Sequence, residues 1–156
     1  MKKFIGILLL LPLVTPSFAL TAKDAGRTAS RISDNSEKGI HFFDGSWAEA
    51  LKLAEKEKKI IFLDAYAAWC GPCKWMAANA FKDEAVGTFF NEHFINYKMD
   101  MEKNESGPRL SAKYSLNAYP SLYFVDHNEA IVYQQIGALK GDELLALGKE
   151  AFGKVK

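Results

Sequence analysis

Two cysteines, Cys70 and Cys73, stand in the stretch AYAAWCGPCKWM at 65–76, and the chain contains no others. Thiols two residues apart can form a small structural bridge, supply half of a metal site, or cycle between dithiol and disulfide. A bridge this short constrains little of the unfolded chain, because cross-link stabilisation grows with loop length. A closed zinc site takes about four protein ligands, whereas the pair supplies two, and His41, His93 and His127 stand singly. The redox reading accounts for more of the surroundings. The pair follows a continuous apolar run, IIFLDAYA, and opens a stretch of strong helix formers. A sulfur at a helix start meets unpaired N–H groups and the positive end of the helix dipole, which favour thiolate over thiol. Cys70 is therefore expected as the exposed attacking sulfur, with Cys73 shielded one turn further on to resolve the mixed disulfide. Gly71 permits the sharp turn, and Pro72 suits a first helical turn, where its missing N–H costs nothing.

The elements that must position this pair can be read from hydrophobic spacing. Ser46 followed by Glu49 is a capping-box pattern, and Trp47, Ala50, Leu51 and Ala54 then recur at helical spacing as a buried stripe. The run IIFLDAYA suits a strand buried on both faces, with Asp64 as the anomaly in its middle. After the cysteines comes a helical stretch in which Gly87 suggests a break, and FINYKMD then returns to strand character. Pro108 opens a short helix, PSLYFVD and AIVYQQI flank the turn HNE as a hairpin, and KGDELLALGKEAF closes as an amphipathic helix. This order predicts an α/β fold with a central mixed sheet covered by helices on both faces.

Composition narrows the function classes. At 156 residues, 49% apolar and 25% charged, the chain suits one globular domain. The net charge of +1, without a basic stripe, gives no argument for nucleic acid. Residues 1–19 read as a secretory signal peptide: Lys2 and Lys3, an apolar run from Phe4 to Val14, then Ser17 and Ala19 before the cleavage point. The alternative is an uncleaved anchor, but an 11-residue run falls short of the roughly 20 needed to span a bilayer. Cleavage would leave a near-neutral chain with no membrane span, in the periplasm or secreted, where disulfide chemistry is permitted. Residues 20–39 are small and polar and read as a linker or flexible arm, leaving 40–156 as the domain.

WCGPCK, Asp64 six residues before Cys70, AYP before SLYF and IGAL at 136–139 together resemble the thioredoxin superfamily. The likeness runs from about residue 42 to 153, and KKIIFLDAYAAWCGPCK…AFKDEAVGTFF is similar to the C-terminal periplasmic domain of the electron transporter DsbD and to related exported proteins. Departures are Tyr119 where Ile, Thr or Val is usual, Tyr66 where thioredoxin has tryptophan, and a longer MEKNESGPRL segment.

The resemblance implies a thioredoxin fold and a thiol–disulfide oxidoreductase. In it Cys70 and Cys73 are catalytic through a redox-active disulfide, with no organic cofactor or metal. Asp64 would carry a pKa raised by burial and pass protons to and from Cys73; the alternative is an ordinary hydrogen-bonded aspartate. Pro120 would be the cis-proline that exposes the Tyr119 backbone to an extended substrate; the alternative is a trans strand-edge proline. Trp69, Gly71, Pro72, Tyr119, Pro120 and Gly137 would line the substrate surface, although Gly137 also suits a simple bulge and Trp75 simple helix packing. Partners would be protein disulfides and a membrane electron donor of the DsbD type; no oligomeric state is assigned. Reduction of disulfides is the expected direction. A disulfide oxidase or isomerase, and a binding or chaperone-like module without turnover, remain the other readings.

Overall fold

The computed structural model describes residues 38–155, so the signal peptide read at 1–19 and the arm up to residue 37 lie outside the described residues. The elements follow in the order α1 (Trp47–Glu57), β1 (Ile60–Tyr66), α2 (Gly71–Ala78), a 3-10 turn (Ala80–Lys82), α3 (Glu84–His93), β2 (Phe94–Asp100), α4 (Gly107–Lys113), β3 (Ser121–Val125), β4 (Ile131–Ile136) and α5 (Gly141–Gly153). The sheet has the order β2-β1-β3-β4. β1 runs parallel to β2 and antiparallel to β3, which pairs antiparallel with β4, so the sheet is mixed. Among the described residues no helix is long and apolar enough to cross a membrane.

Alternation along β1 explains why helices cover both faces, since successive side chains point to opposite sides. Ile60 and Phe62 enter a core with Met76, Val86, Phe90, Leu122, Phe124 and Leu144, beneath α2, α3 and α5. Ile61, Leu63 and Ala65 enter a second core with Trp47, Ala50, Ala54, Met99 and Leu110, beneath α1 and α4. The capping box forms as the sequence implies: Glu49 N–H donates to Ser46 Oγ at 3.2 Å, and Ser46 N–H donates to Glu49 Oε2 at 2.8 Å.

The break in the long helical stretch falls elsewhere than at Gly87. The chain leaves α2 at Asn79 and restarts at Asp83, whose Oδ1 accepts from Ala85 N–H at 2.8 Å and Val86 N–H at 3.1 Å. Gly87 lies inside α3, where a Cβ would overlap the backbone of Gly39. That close approach seats the segment leading into the domain. Ile40 N–H donates to Phe81 O at 2.8 Å, Asn91 Nδ2 to Gly39 O at 3.0 Å, and Phe43 N–H to Asn96 O at 2.7 Å, so residues 39–43 run from the 3-10 turn and α3 to β2.

At the end of the sheet near the start of β1, the turn between β3 and β4 is knotted to two helices. Glu129 adopts φ 62, a backbone region unfavourable to most side chains, with its carboxylate turned inward. It accepts from Trp47 Nε1 of α1 at 2.7 Å, from Arg109 Nη1 and Nη2 of α4 at 2.7 and 2.6 Å, and from Lys113 Nζ at 2.9 Å. The Arg109 hydrogen bonds, seconded by Lys113 and Trp47, hold its pKa at about 2, below the ordinary 4.5.

A depressed carboxylate pKa contributes stability that is present above the unfolded value and is lost as pH falls through the folded value. Glu129→Gln should therefore cost about 2–3 kcal/mol at pH 7. The gap to the parent protein should shrink to less than half of that near pH 3, as denaturant titrations at the two pH values would read. An equal gap at both pH values would assign the effect to shape rather than charge.

Candidate active site

β1 delivers the chain to one end of the sheet, where Ala67 and Trp69 lead into Cys70. Cys70 N–H donates to Ala67 O at 3.0 Å, closing the turn before the helix. Cys70 is the N-cap of α2, with extended φ and ψ of −67 and 111, and Pro72 stands in the first turn, where its missing N–H leaves no bond unmade. The backbone N–H of Cys73 donates to Cys70 Sγ at 3.1 Å. The two sulfurs are joined as a disulfide, with Cα atoms 5.3 Å apart.

The expected contrast in exposure is absent from this disulfide state. Cys70 is 2% exposed and Cys73 5%, packed with Ala67 against Tyr66 and Tyr119. Capping turns the Cys70 sulfur back toward the Cys73 amide, within a cluster that Tyr66 and Tyr119 pack against. The difference between the two sulfurs lies instead in hydrogen bonding, because Cys70 Sγ alone holds the capping amide.

Around the pair, Gly71 and Pro72 are exposed, and Trp69 is 67% exposed. Trp69 stands edge-on to Tyr119 with ring centroids 5.8 Å apart. Its indole N–H lies 3.0 Å from both carboxylate oxygens of Glu102, in the loop between β2 and α4. The Tyr119–Pro120 peptide is cis. Pro120 O accepts from Gly137 N–H at 2.9 Å, which brings the end of β4 beside the start of β3. Gly137 has φ +99 with open space where a side chain would stand, and the irregularity of the hairpin lies at Phe124/Val125 instead. Burial first, then the charges of Glu102 and Asp100, push the Tyr119 phenol upward. Trp75 is half exposed on the far part of α2, beside Asn79, Lys82 and Asp83.

Asp64 is 1% exposed on β1 and sits opposite Lys98 of β2 in the sheet register. Lys98 Nζ lies 3.2 Å from Asp64 Oδ2, and neither carboxylate oxygen accepts a well-aligned hydrogen bond among the described residues. Burial pushes the Asp64 carboxyl above its ordinary range, while the nearby Lys98 ammonium pulls it back down, chiefly by charge. The ammonium stands over three rings, Phe42, Tyr66 and Phe81, at 5.2, 4.8 and 5.3 Å from their centroids. The acid is legible in the sequence; its counter-ion is not. Lys98 is one lysine in an alternating strand, and only the pairing of β1 with β2 brings it to Asp64. Glu102 was equally hidden, 33 residues from Trp69 in a segment distinguished only by its length.

A family model described as "Thioredox_DsbH: Protein of unknown function, DUF255" matches residues 29–119. The chain belongs to this thioredoxin-like family. It is 33% identical over 106 residues to Thioredoxin H-type 2 of Nicotiana tabacum, covering 68% of this chain and 81% of the relative. The solution structure of a Bacteroides thetaiotaomicron protein, provisionally called a disulphide-isomerase, is 45% identical with a TM-score of 0.65, over 75% of this chain and 96% of that one. The oxidised C-terminal domain of DsbD from Neisseria meningitidis is 25% identical with a TM-score of 0.55, over 66% and 90% of the two chains. The thioredoxin-like chain thus carries its family's oxidoreductase fold and a bonded cysteine pair.

The contact between Trp69 and Glu102 generates a measurable expectation. Glu102→Ala should increase acrylamide quenching of the Trp69 indole, whereas Glu102→Gln, which keeps an acceptor oxygen, should quench like the parent. Equal quenching in all three proteins would mean that Glu102 does not hold the indole in solution.

Proposed function

We propose that the chain is an exported thiol–disulfide oxidoreductase that reduces protein disulfides through the Cys70/Cys73 couple. The observation that carries this reading is the Cys73 amide donating to Cys70 Sγ at the N-cap of α2. A donor aimed at that sulfur, together with the helix dipole, stabilises it as thiolate once the pair is reduced.

The cycle balances as a two-electron exchange. Cys70 thiolate attacks one sulfur of a substrate disulfide; that S–S bond breaks, a Cys70–substrate bond forms, and the other substrate sulfur leaves as thiolate. Cys73 then loses its proton to the Asp64 carboxylate, directly or through water, and attacks Cys70 Sγ. The Cys70–Cys73 disulfide forms and the second substrate thiolate is released. The substrate has gained two electrons and the protein has lost them. Trp69, Gly71, Pro72, Gly137 and the Tyr119 backbone before Pro120 form the surface that receives the extended substrate segment.

A reductase in an oxidising compartment needs a dithiol supply, and a membrane donor of the DsbD type is the proposed partner. Support for export comes from the basic and apolar start of the sequence and from the likeness to a DsbD domain. The name given to the Bacteroides thetaiotaomicron protein favours isomerisation as the second reading.

The reduction potential of the Cys70/Cys73 pair, measured against thiol–disulfide buffers, decides direction. A value near about −270 mV supports reduction, whereas one near about −120 mV makes the protein an oxidase and overturns the proposal. Cys73→Ser should accumulate mixed disulfides with substrate, and Cys70→Ser should abolish turnover. If Cys70→Ser keeps its biological function, the protein is a binding module. Asp64→Asn should slow the resolving step at neutral pH by on the order of 10²-fold, as loss of a general base does. An unchanged rate from pH 6 to 9 removes Asp64 from the mechanism.

A further inference from the structure

Lys98 reaches Asp64 on a flexible four-carbon stem whose side chain is 31% exposed. A strongly hydrated ammonium on such a stem is readily drawn out into water. Three aromatic faces oppose that here, each with its centroid within the roughly 6 Å at which a ring attracts a cation. Tyr66 belongs to β1 and borders the disulfide cluster, whereas Phe42 and Phe81 pack into the core beneath α2 and α3. Those two rings meet edge-on at 5.4 Å. Both are fixed from outside the sheet: Phe81 by the 3-10 turn after α2, Phe42 by the segment clamped to β2.

We propose that the rings of Phe42 and Phe81 are positioning elements that hold the Lys98 ammonium over Asp64 and so set the pH range in which Asp64 can take the proton of Cys73. This rests on the reading of Asp64 as the proton relay. Lys98 is the charged group that acts on Asp64. Tyr66 and Asp100 are the titratable neighbours on β1 and β2, and Asp64 and Asp100 both act on the Tyr66 phenol. Opposite Asp64, β3 brings the uncharged Leu122, and α2 brings buried Met76 to the same core. His41 and Lys82 are the ionisable residues next in sequence to Phe42 and Phe81. The sign follows from charge. An ammonium released to solvent no longer favours the ionised carboxylate, so Asp64 keeps its proton to higher pH and works as a base over a narrower range.

The test is single-turnover resolution in the reduced full chain. Cys70 thiolate attacks a substoichiometric chromogenic aromatic disulfide, forming a mixed disulfide and releasing one aromatic thiolate. Cys73 then expels the second thiolate, whose absorbance reports the resolving rate between pH 5 and 9. Phe42→Leu and Phe81→Leu should move the acid limb to higher pH, slowing resolution about three- to tenfold on that limb. Phe42→Tyr, which keeps a ring, should restore the parent profile. Lys98→Met should move the limb further, and adding Phe42→Leu to it should move the limb no more. Leucine variants that lose thermal stability but keep the parent pH profile would reduce the rings to packing and overturn the proposal. Cys73 ionisation alone leaves an acid limb in Asp64→Asn, so a limb that keeps the parent position there would instead sink the relay itself, whatever the rings do. A limb displaced in Asp64→Asn but unmoved by either leucine variant would sink the ring assignment alone.

Discussion

A carboxylate buried in a strand that is paired on both sides is the constraint on which the rest of this structure turns. An isolated buried charge is strongly disfavoured, and among the described residues Asp64 has one counter-ion to answer it, Lys98 in register on β2. A slip of one residue between β1 and β2 would carry Lys98 to the opposite face of the sheet and leave the acid alone. The electrostatics of one pair thus reinforce the hydrophobic alternation that sends Phe62 to one core and Leu63 to the other.

The two ends of the sheet are built for different purposes. Toward the end of β1 stand a capping amide on Cys70, an indole held at the rim by Glu102 and, two residues back along the strand, the buried Asp64 with Lys98 beside it. At the opposite end Glu129 is saturated by three donor side chains, and its carboxylate is held ionised. One carboxylate is pushed toward neutrality by burial and the other away from it by hydrogen bonds, which separates a group suited to proton transfer from one suited to fastening helices.

Local chemistry was legible in the sequence. The spacing of Cys70 and Cys73, the Ser46–Glu49 cap and the doubly buried strand around Asp64 each depend on near neighbours, and each led to the observed element. What escaped depended on distant partners. Gly87 reads as a helix breaker by propensity, but its missing side chain serves contact with Gly39, and the break falls where Asp83 can cap the next helix. Cys70 reads as exposed from its place at a helix start, yet in the disulfide state it is buried in a cluster against which Tyr119, nearly fifty residues later, packs together with Tyr66. Glu129 reads as a turn residue, and its role emerges only when α1 and α4 converge on it.

The fastening of α4 separates the rim of the site from the helix that carries it. Arg109 and Lys113 tie that helix to Glu129 at the far end of the sheet, while the loop before it carries Glu102 to the rim of the disulfide site. Within that loop Met101 is buried in the second core, whereas Glu102 is exposed, so the charge at the rim can change while the helix stays anchored from behind. Substitution at that one exposed position would thereby alter the charge beside the cysteine pair and leave both hydrophobic cores as they are.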